Sequence, residues 1–341
     1  MPGPSPALKL DATARGIPLE EVAGWAARCE ELGLHGLYST ETGNDPFLPL
    51  ALAAGATSRV ELGTGVALAF PRSPMQVAYT GWDLQGLSGG RFVLGLGSQV
   101  RAHVERRFGA TWSHPARRMR DFVLAVRAIW SAWAEGSPLA YEGEFYRHTL
   151  MPPDFRPRPH GHRIAPIVLA GVRARMIEVA GEVADGLLIH PFQTPDYIRE
   201  TVLPSVERGL EQGGREPGDV ELSACVFTAT TEEESEAARR RIAFYGSTPG
   251  YRHVFELHGW GGLFERLHGL SRSGGWEEMP GLISDEVLDT FAVRGAGGEQ
   301  VAAELARRYG GLVSRVNLHA GLRADPERWA ELAAALGSPA R

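Results

Sequence analysis

The sequence predicts an α/β fold, a (β/α)8 barrel, on three observations. Short apolar, β-branched runs alternate with amphipathic stretches along the chain, eight such runs can be picked out, and the residues that finish them are unusually polar or small. Alternation of this kind builds a parallel sheet covered by helices, and in a closed parallel barrel the ligand site lies at the carboxyl ends of the strands.

The first run, Ala7 to Thr13, leads into a helix whose Leu19, Val22, Ala26, Cys29 and Leu32 share one face, and Gly33 ends it. Gly36 to Glu41 is the second run, with Asp45 and Pro46 as cap and first-turn residue of the next helix. The third to sixth runs are Val60 to Val66, Phe92 to Ser98, Ile167 to Gly171 and Gly186 to His190. Glu221 to Ala229 and Arg315 to His319 complete the set. The clearest helix spans about Arg117 to Ala134, where Met119, Phe122, Val126, Ile129, Trp130 and Trp133 form a broad apolar stripe expected to pack on the barrel. Two segments, 136–165 and 246–290, break the alternation and read as insertions in a single domain covering 1–341. Long irregular segments of this kind are usually lids or binding loops. His253, His258, Trp260, His268 and Trp276 are expected over the pocket mouth, or else in a hydrophobic lid or dimer contact.

Composition narrows the function. With 43% hydrophobic and 22% charged residues, the chain has the make-up of a soluble globular protein. A net charge of -6 gives no basic field for nucleic acid. Neither of the two cysteines, Cys29 and Cys225, sits in a metal-ligand spacing, and free buried thiols point to the cytoplasm. Prolines interrupt Met1 to Asp11 where a signal peptide would be continuous, and no stretch is long and apolar enough for a membrane span. The pair His160 and His162 has no third ligand nearby, so no metal site is expected, and HExxH, GxSxG and GxxxxGK[ST] are absent.

The strand ends hold the candidate site. They are Asp11 and Thr13; Thr40, Glu41 and Asn44; Thr64 and Gly65; Gly97, Ser98 and Gln99; Ala170 and Gly171; His190; and Asn317 and His319. Glycine-marked edges at Gly63 to Val66, Gly97 to Gln99 and Ala170 to Val172 would let backbone approach a flat ligand, and three converging ones fit a planar cofactor. Gly95 to Val100 lacks the third glycine of a Rossmann fingerprint. Glu41 is a candidate general acid, or else pairs with a neighbouring Arg or caps a helix. His190 is the second candidate proton handler, or else makes a structural hydrogen bond. Asp11, Asn44 and His319 are assigned to substrate.

These residues carry a likeness. ETGNDPFLPLALAA, LGTGVALAFPRSP, SGGRFVLGLGSQ and HVERRFG between 41 and 109, then YEGEFYRH, AGEVADGLLIHPF and FAVRG further on, resemble the F420-dependent branch of the luciferase-like monooxygenase superfamily. The resemblance implies a TIM barrel with a deazaflavin, coenzyme F420, at its carboxyl face, and a non-prolyl cis peptide at Gly65 and Val66. Ser98, Gln99, Val100, Gly171 and Val172 match stretches that contact ring and phosphate. It also implies a homodimer formed through the segments Phe47 to Ala56 and Met75 to Leu87. Thr40-Glu41-Thr42 stands where several relatives have an Asp-His pair, and Gln99, Val100 and Arg101 occupy a region where some relatives have an acidic residue. Hydride transfer to or from a small organic substrate is the expected reaction. FMN-dependent monooxygenation with a separate reductase is the alternative, and a non-catalytic flavin-binding barrel the third.

Overall fold

In the computed structural model, which describes residues 8–319 and 325–337, eight parallel strands close on themselves. They are β1 (Lys9–Thr13), β2 (Gly36–Ser39), β3 (Glu61–Thr64), β4 (Phe92–Gly97), β5 (Ile167–Gly171), β6 (Gly186–Ile189), β7 (Glu221–Ala229) and β8 (Arg315–Leu318). Each pairs with the next, and β1 closes the ring on β8 with Asp11 opposite Asn317. All eight expected strands form; Ala7, the first residue of the expected first run, lies outside the described residues.

Five strands end earlier than expected: β4, β6 and β8 stop one residue short, before Ser98, His190 and His319, and β2 and β3 stop two residues short. β2 stops at Ser39, so Thr40 and Glu41 lie beyond it, and β3 stops at Thr64, ahead of a cis Gly65–Val66 peptide. Ala67–Leu68 then rejoins the sheet beside Leu96 and Gly97 of β4.

The outer layer comprises α1 (Val22–Glu31), α2 (Leu48–Ala56), α3 (Pro74–Leu87), α4 (Pro115–Glu135), α5 (Ala174–Val183), α6 (Leu203–Gly213), α7 (Glu232–Gly246), α8 (Gly298–Tyr309) and α9 (Pro326–Ala335). The stripe on α4 is fully covered, from Met119 to Trp133. α2 starts later than Asp45 and Pro46 suggest: the Asp45 carboxylate accepts the Phe47 N–H (2.9 Å), and Phe47 is the cap. α3 opens with a capping box in which Ser73 and Gln76 satisfy each other's backbone N–H groups.

The two insertions differ: 136–165 stays away from the cavity described below, whereas 246–290 lends that cavity Thr248, Gly250 and Tyr251. Segment 136–165 folds on the outside of the barrel, where the Asp121 carboxylate holds Tyr141 and the Tyr146 N–H, and Trp82 and Gln85 of α3 donate to the carbonyls of Arg158 and Arg163. Segment 246–290 is largely helical, with Gly261–Ser273 and Asp285–Phe291 packed beside α7 and Arg252–Leu257 against Gly261–Ser273. His258 bonds Thr194 (2.9 Å), His253 bonds the Tyr197 hydroxyl (2.8 Å), His268 bonds the Ser247 carbonyl (2.9 Å), and Trp276 rests on Phe244. None of these, nor Trp260, lines the cavity described below.

Candidate active site

At the carboxyl ends of the strands lies a cavity of about 1170 Å3, large beside the ~300–1,000 Å3 of typical small-ligand sites. The tops of β3, β4 and β5 converge on it: Gly65 and Val66; Gly97, Ser98, Gln99 and Val100; Ala170, Gly171 and Val172. Thr13, Thr40, His190, Asn317 and His319 complete the group of expected residues that face it.

The glycines there also let the strands pack closely on one another. A Cβ on Gly97 would stand 2.6 Å from Val66 Cγ2, and one on Gly95 would stand 1.8 Å from the Thr64 carbonyl oxygen. They let strand tops close on each other, and the cavity wall follows from that packing.

Four expected site residues do not reach the cavity. Glu41 is 6% exposed at its side chain; its carboxylate accepts the Leu68 N–H (2.7 Å) and pairs with Arg72 (2.7 Å), which also reaches Asp45 (3.0 Å). It clamps the chain after β3, the geometry of the pairing alternative. Thr64 is fully buried and ties β3 to β4, its hydroxyl donating to the Gly95 carbonyl (2.6 Å) and accepting the Gly95 N–H (2.8 Å). Asp11 points into the barrel and takes a bidentate fork from Arg315 (2.8 and 2.7 Å), with Glu61 and Glu221 on the same guanidinium. Asn44 is exposed on the turn before α2.

His190 sits between two aromatic rings, stacked on Tyr251 (4.6 Å) and edge-on to Tyr245 (4.7 Å). Its Nδ1 accepts the Phe192 N–H (3.0 Å), so Nε2 carries the hydrogen and donates to the Tyr251 hydroxyl oxygen (3.1 Å). Burial, with His319 nearby, pushes the imidazole down to about 3, and burial raises the Tyr251 phenol. Both are neutral near pH 7, and the Tyr251 hydrogen is left for a ligand. Burial, with Arg15 and Arg241 nearby, likewise holds His319 at about 4.

Five arginines ring the cavity, namely Arg15, Arg101, Arg173, Arg175 and Arg241. Glu234, the one carboxylate in the described lining, is taken up by Arg328 (2.7 and 2.9 Å). Of these arginines only Arg101 is singled out from the sequence; Arg15, Arg173, Arg175 and Arg241, with Tyr38, Tyr245 and Tyr251, are not. Arg15 and Arg173 each stand two residues past a strand end, a spacing that marks the rim of the barrel mouth. Arg241 and Tyr245 lie one helical turn apart on α7, and nothing in a single sequence aims that helix at the mouth.

A family model described as luciferase-like monooxygenase matches residues 5–315. The chain belongs to the luciferase-like monooxygenase family. This luciferase-like enzyme is 49% identical over 317 residues to an uncharacterized protein of Mycobacterium tuberculosis, covering 91% of this chain and 92% of that one. It is 28% identical over 256 residues to the 5,10-methylenetetrahydromethanopterin reductase of Archaeoglobus fulgidus, covering 72% and 73% of the two chains. Its fold matches the solved coenzyme F420 dependent tetrahydromethanopterin reductase from Methanopyrus kandleri with a TM-score of 0.76 at 20% identity, over 97% of each chain. Among the described residues no group of three or more His, Cys, Asp or Glu is placed to hold a metal, and no helix is long and apolar enough to cross a membrane.

Proposed function

We propose that this enzyme binds coenzyme F420 in the cavity and moves a hydride between the deazaflavin and a small organic substrate. The observation that carries the proposal is the wall itself: the tops of three adjacent strands edge a space large enough for a tricyclic ring and a second ligand, with Arg101, Arg173 and Arg175 at its β4–β5 side. The likeness to the Archaeoglobus reductase supports it. When bound, the deazaflavin supplies a carbon-centred hydride donor or acceptor; the protein supplies orientation and a dry site.

Gly65, Val66, Gly97, Ser98 and Gln99 would back the ring, while Val100, Gly171 and Val172 lead to the anionic tail at the start of α5. Thr40 and Ala170 complete that wall. The Tyr251 hydroxyl, oriented by His190 Nε2–H, donates to the substrate atom that gains negative charge, and being neutral it keeps that proton until it is needed. Glu41 holds structure and handles no proton. Exposed Leu48, Leu52 and Leu87 on α2 and α3 support a homodimer through these helices, and the two free thiols fit a reducing cytoplasm.

Fluorescence titration with F420 and with FMN tests the cofactor. Saturable quenching by F420, weakened by Arg173→Ala, is the expected result; tight FMN binding with no F420 saturation overturns it in favour of oxygen chemistry. Light scattering of the purified protein reads the dimer, which Leu48→Lys with Leu52→Lys should dissociate.

A further inference from the structure

The basic groups at the cavity fall into two sets. Arg101 and Arg173 follow β4 and β5, whereas Arg15 follows β1 and Arg241 sits on α7, after β7. In a closed ring of eight the first strand stands opposite the fifth, so the sets face each other across the mouth.

The second set is built around an unsatisfied group. His319, at the end of β8, has a buried Nε2 with no hydrogen-bond partner among the described residues, and its ring lies 4.9 Å from Phe227. Arg15 and Arg241 both act electrostatically on His319, and both act on Tyr245, with Arg15 beside the Tyr245 hydroxyl. Among the described residues no carboxylate pairs with Arg15 or Arg241: Glu234, the acid in the same wall, is occupied by Arg328 and Thr230. The residues 1–7, 320–324 and 338–341 contain no Asp or Glu. Two guanidinium groups without a carboxylate partner among the described residues, beside an imidazole nitrogen without a hydrogen-bond partner and against aromatic walls, form a complement for an oxyanion on an organic body.

We infer that the substrate of the proposed reaction is an organic acid whose oxyanion, carboxylate or phosphate, is held by Arg15, Arg241 and His319 while its reacting atom lies toward Tyr251. This rests on the hydride-transfer reading for the reaction, but the subsite can be tested by binding alone. Calorimetry of the protein, with and without F420, would use benzoate and phenyl phosphate as probes and benzamide as the uncharged control. The expected result is benzoate or phenyl phosphate binding at least tenfold tighter than benzamide. That preference should be lost in Arg15→Gln/Arg241→Gln, with melting temperature and F420 affinity unchanged; the tighter of the two anions tells carboxylate from phosphate. Equal binding of benzamide and the anions, no anion binding by the wild type, or anion binding unaltered in the double variant overturns the inference. So does a loss of F420 affinity in that variant, which would give both arginines to the cofactor tail. A wild-type protein that binds the anions but not F420 would leave this subsite standing and sink the cofactor proposal instead.

Discussion

Replacing Glu41 by Gln separates a structural carboxylate from a catalytic one. Glu41→Gln keeps the shape and one acceptor oxygen but removes the charge that faces Arg72 at 2.7 Å and strengthens the Leu68 N–H bond at 2.7 Å. Stripping one partner from a fully buried pair costs about 3–5 kcal/mol, and an exposed pair is worth about 0–1 kcal/mol. Here Glu41 is 6% exposed but Arg72 is 19% exposed and retains Asp45 and the Leu68 carbonyl, which places the loss between those limits, at about 2 kcal/mol. With about 2.1 cal/mol/K of unfolding entropy per residue, a 341-residue chain should lose about 3 °C in melting temperature. Because no atom of Glu41 lines the cavity, kcat should stay within about threefold, whereas loss of a general acid typically costs about 10²–10⁴. Scanning calorimetry and steady-state turnover with F420 read both quantities. A hundredfold fall in kcat with an unmoved melting temperature would refute the structural assignment and restore Glu41 to the chemistry.

Other perturbations follow from the same geometry. Gly95→Ala forces a Cβ to within 1.8 Å of the Thr64 carbonyl oxygen; backbone must move, and urea denaturation should show a loss above about 3 kcal/mol or no folded protein. Arg315→Met strands the buried Asp11 carboxylate and should cost about 3–5 kcal/mol, part of which returns in Asp11→Leu/Arg315→Met; an additive double variant would contradict the pairing. His190 and His319 have folded values depressed to about 3 and about 4, so from pH 6.5 down to about 4 the unfolded chain binds protons that the folded chain refuses. Stability should therefore fall with decreasing pH by up to about 1.4 kcal/mol per unit for each histidine, and His190→Asn should flatten the slope in denaturation curves between pH 6.5 and 4.

The barrel was legible because its strands are apolar runs bounded by glycine and polar residues, a pattern that depends on local residues alone. Which way a polar residue points was not. Asp11, in the middle of β1, and Thr64, at the end of β3, both face the packed interior, where Asp11 meets Arg315, 304 residues away, and Thr64 meets Gly95. Glu41 was readable as paired or catalytic, and only the fold brings Arg72 to it. Segment 246–290 looked irregular because its helices are short and bury few side chains each, such as Phe264 and Leu267 on one and Val254 and Phe255 on another. His190 and the β3–β5 rim were accessible to sequence reasoning because they directly follow strands.

Height along the barrel axis decides which polar groups can act. Asp11, Arg315 and Glu61 form an ion cluster inside the ring, and Tyr38 lies over Arg315 with its ring 5.9 Å from the guanidinium. Tyr38 also fills the space that a side chain at position 63 would need, a Cβ there meeting its ring at 2.4 Å, and its outer side forms part of the cavity floor. The aromatic layer keeps fixed charge away from the reaction space, where an unshielded carboxylate would act strongly in a low dielectric. Above it the groups that can exchange a proton, His190 and Tyr251, are neutral, and the permanent charges stand at the rim on two opposing sides. A ligand pair anchored by its charged ends and meeting between uncharged donors is the arrangement in which hydride transfer needs least reorganisation of its surroundings.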